Sequence, residues 1–138
     1  VLPNIYSKKN FNLEQGWSEI IKYNSDACIV SSGYLLHKCF KQINKIKKKI
    51  SLIDLFKINN QKSSLINKLK KYKKIIVVEE QWKSGGIGSY LLEMANNMKI
   101  NLNIEIKSLN QRFFFENGGR DYLHKKFGLD IEKIILNI

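Results

Sequence analysis

Lys74 to Ala95 reads KIIVVEEQWKSGGIGSYLLEMA, and this stretch decides the fold. Ile75 to Val78 are consecutive β-branched residues with no helical period, bounded by lysines before and by Glu79-Glu80 after, the pattern of a buried strand. Ser84-Gly85-Gly86-Ile87-Gly88-Ser89 follows, and Tyr90, Leu91, Leu92, Met94 and Ala95 then return at helical spacing. The order is strand, glycine turn, helix N-terminus.

Glycines at such a turn permit positive φ and close backbone approach. They also leave the first helical N–H groups free to face an anion or a neighbouring chain. The simpler reading is a tight, close-packed crossover. The spacing is not G-x-G-x-x-G, and no Gly-Lys-Ser/Thr closes the loop as in a P-loop. Ser84, Gly85, Gly86, Gly88 and Ser89 therefore stand as candidates for an anion cradle or an interface, flanked by Glu79, Glu80 and Trp82.

Upstream, Ala27 to Ser31 reads as a first buried strand, stopped at Ser32-Gly33. Leu35, Leu36, Cys39, Phe40, Ile43 and Ile46 recur with helical spacing, so that helix packs one face on a sheet. Ile50 to Leu55 is a second strand, and Gln61 to Tyr72 a second helix with Leu65, Ile66 and Leu69 inward. Downstream, Asn101 to Ile106 alternates as an edge or half-covered strand does. From Lys107 to Gly119 the spacing predicts a loop containing Phe113-Phe114-Phe115. Three adjacent aromatics cannot all face one core, so at least one of them packs on another domain or subunit, with Phe113 and Phe114 as the candidates; the alternative is a loop tucked over its own core. Arg120 to Phe127 reads as a short helix stopped by Gly128, and Asp130 as the N-cap of a last helix running to Ile138.

Strands alternating with helices predict a three-layer α/β/α sandwich with a mostly parallel sheet of about five strands. Residues 1–24 read as a lead-in or linker from something preceding, with a short strand or turn near Gly16 to Ile21, and residues 25–138 as one domain. The length suits one domain with a proper core.

The formal net charge of +12 comes almost wholly from lysine, Arg112 and Arg120 being the only arginines. Specific readers of bases and phosphates favour arginine's fork, whereas lysine here is mixed with abundant asparagine and isoleucine. The first reading is a solvated surface written by an AT-rich genome; the second is a face for nucleic acid or another polyanion. Cys28 and Cys39 are too few for a disulfide framework and have no metal-like spacing to His37 or His124. Both read as reduced and structural. No apolar run approaches membrane-spanning length.

No usual catalytic set converges. Glu79 and Glu80 are adjacent and point to opposite faces if both stay in the strand. His37 lies on a helix between Leu36 and Lys38 and His124 beside Lys125 and Lys126, and both read as surface residues. None of Ser31, Ser32, Ser84 or Ser89 sits in a G-x-S-x-G elbow.

Taken together, Glu79-Glu80, Gly85-Gly86-Ile87-Gly88-Ser89, Phe113-Phe114, Gly118 and Gly128-Leu129-Asp130, with Ser32-Gly33-Tyr34 and Ile53-Asp54-Leu55 before them, resemble in order and spacing the C-terminal domain of the thiamine-diphosphate-dependent transketolase superfamily. Within it the likeness is greatest to the 1-deoxy-D-xylulose-5-phosphate synthases, and it covers about four fifths of the chain. One departure is Phe56 to Lys62, FKINNQK, where that family carries an Arg and then Lys-Pro-Leu-Asp.

The resemblance implies a non-catalytic assembly and dimerisation domain in a homodimeric parent enzyme. Thiamine diphosphate and magnesium would be bound by the preceding domains of the same polypeptide, with no cofactor, metal or catalytic residue in this chain. The parent reaction would join pyruvate and glyceraldehyde 3-phosphate with loss of carbon dioxide, at the head of isoprenoid and thiamine synthesis. Sister readings are transketolase itself and the beta subunit of a 2-oxoacid dehydrogenase, and a basic polyanion-binding module is the reading of another class. The Lys/Asn/Ile bias suggests a plastid-type organelle (apicoplast) of an AT-rich parasite, or otherwise the cytoplasm.

Overall fold

The structure, a computed structural model, describes residues 2–6, 12–58 and 63–138. Its strands are β1 (Trp17–Ile21), β2 (Ala27–Ser31), β3 (Ser51–Leu55), β4 (Lys74–Trp82) and β5 (Ile104–Leu109). The helices are α1 (Gly33–Ile46), α2 (Ser63–Leu69), α3 (Ile87–Asn97), α4 (Arg120–Lys126) and α5 (Ile131–Leu136). The strands form one sheet in the order β1-β3-β2-β4-β5. β1 is antiparallel to β3 and every other pairing is parallel.

The alternation of side chains along each strand divides the core in two. Cys28, Val30, Ile53, Leu55, Ile75 and Val77 meet α2 and α3 on one face. Ile29, Leu52, Ile76 and Val78 meet α1 and α5 on the other. The expected three-layer sandwich is what forms, because strands apolar on both sides need a helical layer on each. Cys28 and Cys39 are free and fully buried, one in each half of the core.

Several boundaries differ from the sequence reading. β4 runs on through Glu79 and Glu80 to Trp82 instead of stopping at Val78. β5 begins at Ile104 and continues to Leu109, so Lys107 lies in a strand and not in the loop. Asn101 to Asn103 are coil whose Leu102 is nonetheless buried, and Asn103 O accepts the Ile75 N–H at 2.9 Å. Gln61 and Lys62, where the second helix was to begin, lie outside the described residues, as does most of the FKINNQK departure.

The short strand read near Gly16 to Ile21 is β1, and it belongs to the sheet although it lies in the segment read as a lead-in. Gly16, at φ 75°, offers its carbonyl to the N–H groups of Phe56 and Lys57. Trp17 Nε1 donates to Ser64 Oγ at 3.3 Å, and Lys68 pairs with Glu19 at 2.9 Å, so β1 is tied to both β3 and α2.

β2 and β4 are neighbours from which α1 and α3 leave to opposite faces. The chain reverses direction across the sheet there, at the carboxyl ends of parallel strands where α/β folds place their ligands. Glu79, Glu80, the glycine turn and Ser32-Gly33 all lie at that point.

Candidate functional site

Glu79 follows Ile75 and Val77 on the α3 face of β4 and is 2% exposed. Its carboxylate accepts the Ile87 N–H through Oε2 and the Gly88 N–H through Oε1 at 3.3 Å. The first N–H groups of α3, which an anion cradle would offer, are thus held by the chain's own carboxylate, a strong charge-assisted cap at the positive end of a helix. Burial raises the Glu79 carboxyl above the ordinary value, and the two N–H bonds only partly offset it.

The glycines of the turn now have individual reasons. A Cβ at Gly86 would sit on the Glu79 carboxylate, and one at Gly88 would lie 2.5 Å from Ile106 Cδ1. Gly85 has open space around it but φ +80°, a left-handed conformation that glycine adopts without strain. Ser89 Oγ accepts the Gly85 N–H at 3.2 Å and donates to the Lys83 carbonyl, which fastens the turn. Ser84 is exposed at its tip, and Trp82 is 43% exposed at the end of β4.

Glu80 leaves the opposite face of β4. Arg120 donates to both its oxygens, Nε to Oε1 at 2.6 Å and Nη2 to Oε2, and His124 Nε2 lies 2.6 Å from Oε1. Burial pushes the Glu80 carboxyl upward, but Arg120 and His124 outweigh it and hold the group below the ordinary carboxylate value. The Arg120 guanidinium stacks 4.1 Å from the Tyr34 ring centroid. Tyr34 Oη donates to Asp121 at 2.6 Å, and Lys38 pairs with the other Asp121 oxygen at 2.9 Å. This network fixes α4 against α1 and the end of β4. His124, read from sequence as a surface residue, is 6% exposed and belongs to the network: α4 turns it inward while its lysine neighbours face solvent.

The aromatic run divides by alternation. Phe114 turns inward, its ring 4.6 Å from that of Phe127, with the Arg112 guanidinium over both. Phe113 is 79% and Phe115 is 88% exposed. Of the two phenylalanines singled out from sequence, only Phe113 stands outward, and its outward companion is Phe115.

Sequence reasoning missed a buried carboxylate at the end of β3. Asp54 is 1% exposed and its Oδ2 accepts the Tyr6 hydroxyl. Burial raises its carboxyl above the ordinary value, against the Tyr6 bond. Its only signal in the sequence was a charged residue within an apolar strand. Among the described residues no three of His, Cys, Asp and Glu gather where they could hold a metal ion together.

Set against known proteins, the family model described as the transketolase C-terminal domain matches residues 16–134. The chain belongs to the transketolase C-terminal domain family. Among its curated relatives, the 1-deoxy-D-xylulose-5-phosphate synthase of Malacoplasma penetrans is 31% identical over 98% of this chain and 22% of its own length. That of a Thermus thermophilus strain is 28% identical over 84% of this chain and 18% of its own. The chain therefore spans about a fifth of the length of the curated relatives it matches.

Solved structures show the same transketolase C-terminal fold. A split-gene transketolase described as an inactive beta4 tetramer superposes with a TM-score of 0.77 at 16% identity, over 99% of this chain and 46% of that one. The transketolase of Campylobacter jejuni gives 0.65 at 13% identity, over 95% of this chain and 19% of that one. Among the described residues, no helix is long and apolar enough to cross a membrane.

Proposed function

We infer that this chain is the closing domain of a thiamine-diphosphate-dependent 1-deoxy-D-xylulose-5-phosphate synthase, with an assembly role and no catalytic group of its own. The observation that carries this reading is the agreement of the curated relatives, which bear that name while the chain spans almost all of itself and about a fifth of them. The first N–H groups of α3, which could otherwise meet a diphosphate, are engaged by Glu79, which fits a domain that leaves the cofactor to others. Thiamine diphosphate and magnesium would then be held elsewhere in the polypeptide, where the cofactor supplies the carbanion chemistry that removes carbon dioxide from pyruvate. Phe113, Phe115 and Trp82 give this domain apolar surface for its neighbours, the preceding domains and a second subunit.

The test uses the full polypeptide with thiamine diphosphate and magnesium. Carbon dioxide release from pyruvate that depends on glyceraldehyde 3-phosphate is the expected result. Turnover of a ketose phosphate, with pyruvate inert, would move the assignment to transketolase and leave the fold unchanged.

A further inference from the structure

Much of the lysine excess is simply exposed, as on the outer side of α1, where Lys41 and Lys45 face solvent. Five lysines are gathered instead. Lys74 of β4, Lys107 of β5, Lys125 and Lys126 of α4 and Lys133 of α5 converge on one concavity of about 360 Å³, floored in part by Ile76 and Ile134.

The register explains why the concavity is charged. On this face of the sheet Glu105 pairs with Ile76 and Lys107 with Val78, so the edge strand presents charge where its neighbour presents apolar core. Glu105 binds Lys107 at 2.5 Å and Lys74 at 3.0 Å, which fixes both ammonium groups on the strand wall. Asp130, the other acidic side chain in the lining, accepts the backbone N–H of Lys133 as the cap of α5. Lys126 reaches Glu116 at 3.8 Å, while Lys125 and Lys133 have no ion pair among the described residues. The helical wall therefore carries an excess of positive charge opposite a strand wall already held in place.

We propose that this groove binds a small anion carrying two or more phosphate groups, one engaged from each wall. Lysine serves such a ligand as a point charge, without the planar fork that reads a nucleobase edge. Among the described residues its lining contains no aromatic side chain, so they supply no stacking platform of the kind single-stranded nucleic acid uses, and its volume is that of a small-molecule site. The inference does not depend on which thiamine-diphosphate enzyme carries the domain.

The test is calorimetric titration of the full polypeptide, saturated beforehand with thiamine diphosphate and magnesium so that a cofactor site is filled, with inorganic pyrophosphate at fixed ionic strength, beside inorganic phosphate and a short oligothymidylate. Saturable pyrophosphate binding, tighter than that of phosphate, is expected. Lys125→Glu with Lys133→Glu should weaken it by about tenfold or more, and the milder Lys125→Gln with Lys133→Gln by less. Lys41→Glu with Lys45→Glu on α1 should leave it unchanged. Absence of saturable binding, equal weakening by both charge-reversal pairs, or tighter binding of the oligothymidylate would each overturn the proposal. Thermal melts of both pairs confirm that a lost signal is not a lost fold.

Discussion

Glu79 and Glu80 are consecutive in β4 and do opposite things with the same chemical group. Glu79 turns to the α3 face and holds the N–H groups of Ile87 and Gly88, whereas Glu80 turns to α4 and is held by Arg120 and His124. The first is raised by burial; the second is lowered by its cations against burial.

That opposition has a pH signature. A carboxyl whose native pKa is raised binds its proton more tightly folded than unfolded, so its contribution to stability falls as pH rises from the ordinary value through the native one. One whose native pKa is lowered contributes fully above the ordinary value and loses that contribution as pH falls through the depressed native one. The cost of Glu80→Gln should therefore grow as pH rises across the carboxylate range, and the cost of Glu79→Gln should shrink. Urea denaturation of both variants over that range checks this; parallel trends would contradict the assignment.

Glu79→Ala leaves the start of α3 uncapped and two buried N–H groups without their acceptor, a loss of about 1–3 kcal/mol. Gly86→Ala should cost a similar amount for a different reason. Its backbone is extended, at φ −86° and ψ −171°, so the penalty is the overlap of the new Cβ with the Glu79 carboxylate. Removing Glu79 opens that space. The double variant should lose less than the two single losses added, and a double-mutant cycle measures the shortfall.

Arg120→Lys should behave almost as Arg120→Ala does. Lysine retains the charge but neither the two-pronged hold on Glu80 nor the flat stack on Tyr34. The pair is partly open to water, so the expected loss at neutral pH is modest, about 1–2 kcal/mol. It should decline in acid as Glu80 protonates, and urea denaturation at neutral and acid pH reads both effects.

The sequence was most informative where periodicity is strongest. β2 and the core of β4 are unbroken apolar runs, α1 and α3 repeat at helical spacing, and Asp130 caps α5 as its residue type implies. Charge misled the boundaries. Glu79, Glu80 and Lys107 look like strand ends, yet each finds a partner that lets the strand continue. Leu102 has the opposite history, an apolar residue that extends the alternating rhythm over coil while packing into the core. Pairings such as Tyr6 with Asp54 and Arg120 with Glu80 join residues distant in sequence, so no local pattern announces them. Of the candidate site, the glycine turn was legible as a helix start, but its occupant, the neighbouring Glu79, became evident only with the fold.

The aromatic run gives the last prediction, because residues one position apart should separate stability from association. Phe114 packs on Phe127 under the Arg112 guanidinium, so Phe114→Ala should cost about 1–2 kcal/mol whatever the chain is attached to. Phe113 and Phe115 touch each other at 6.4 Å between centroids but remain largely in solvent. Phe113→Ser with Phe115→Ser should leave the denaturation midpoint of the isolated chain within about 0.5 kcal/mol of the parent. In the full polypeptide the same pair should increase hydrogen exchange at the junction with the neighbouring domain or shift the oligomer toward smaller species. If both readouts stay unchanged in the full polypeptide, this surface faces solvent there too, and the assembly role must rest on another part of the domain.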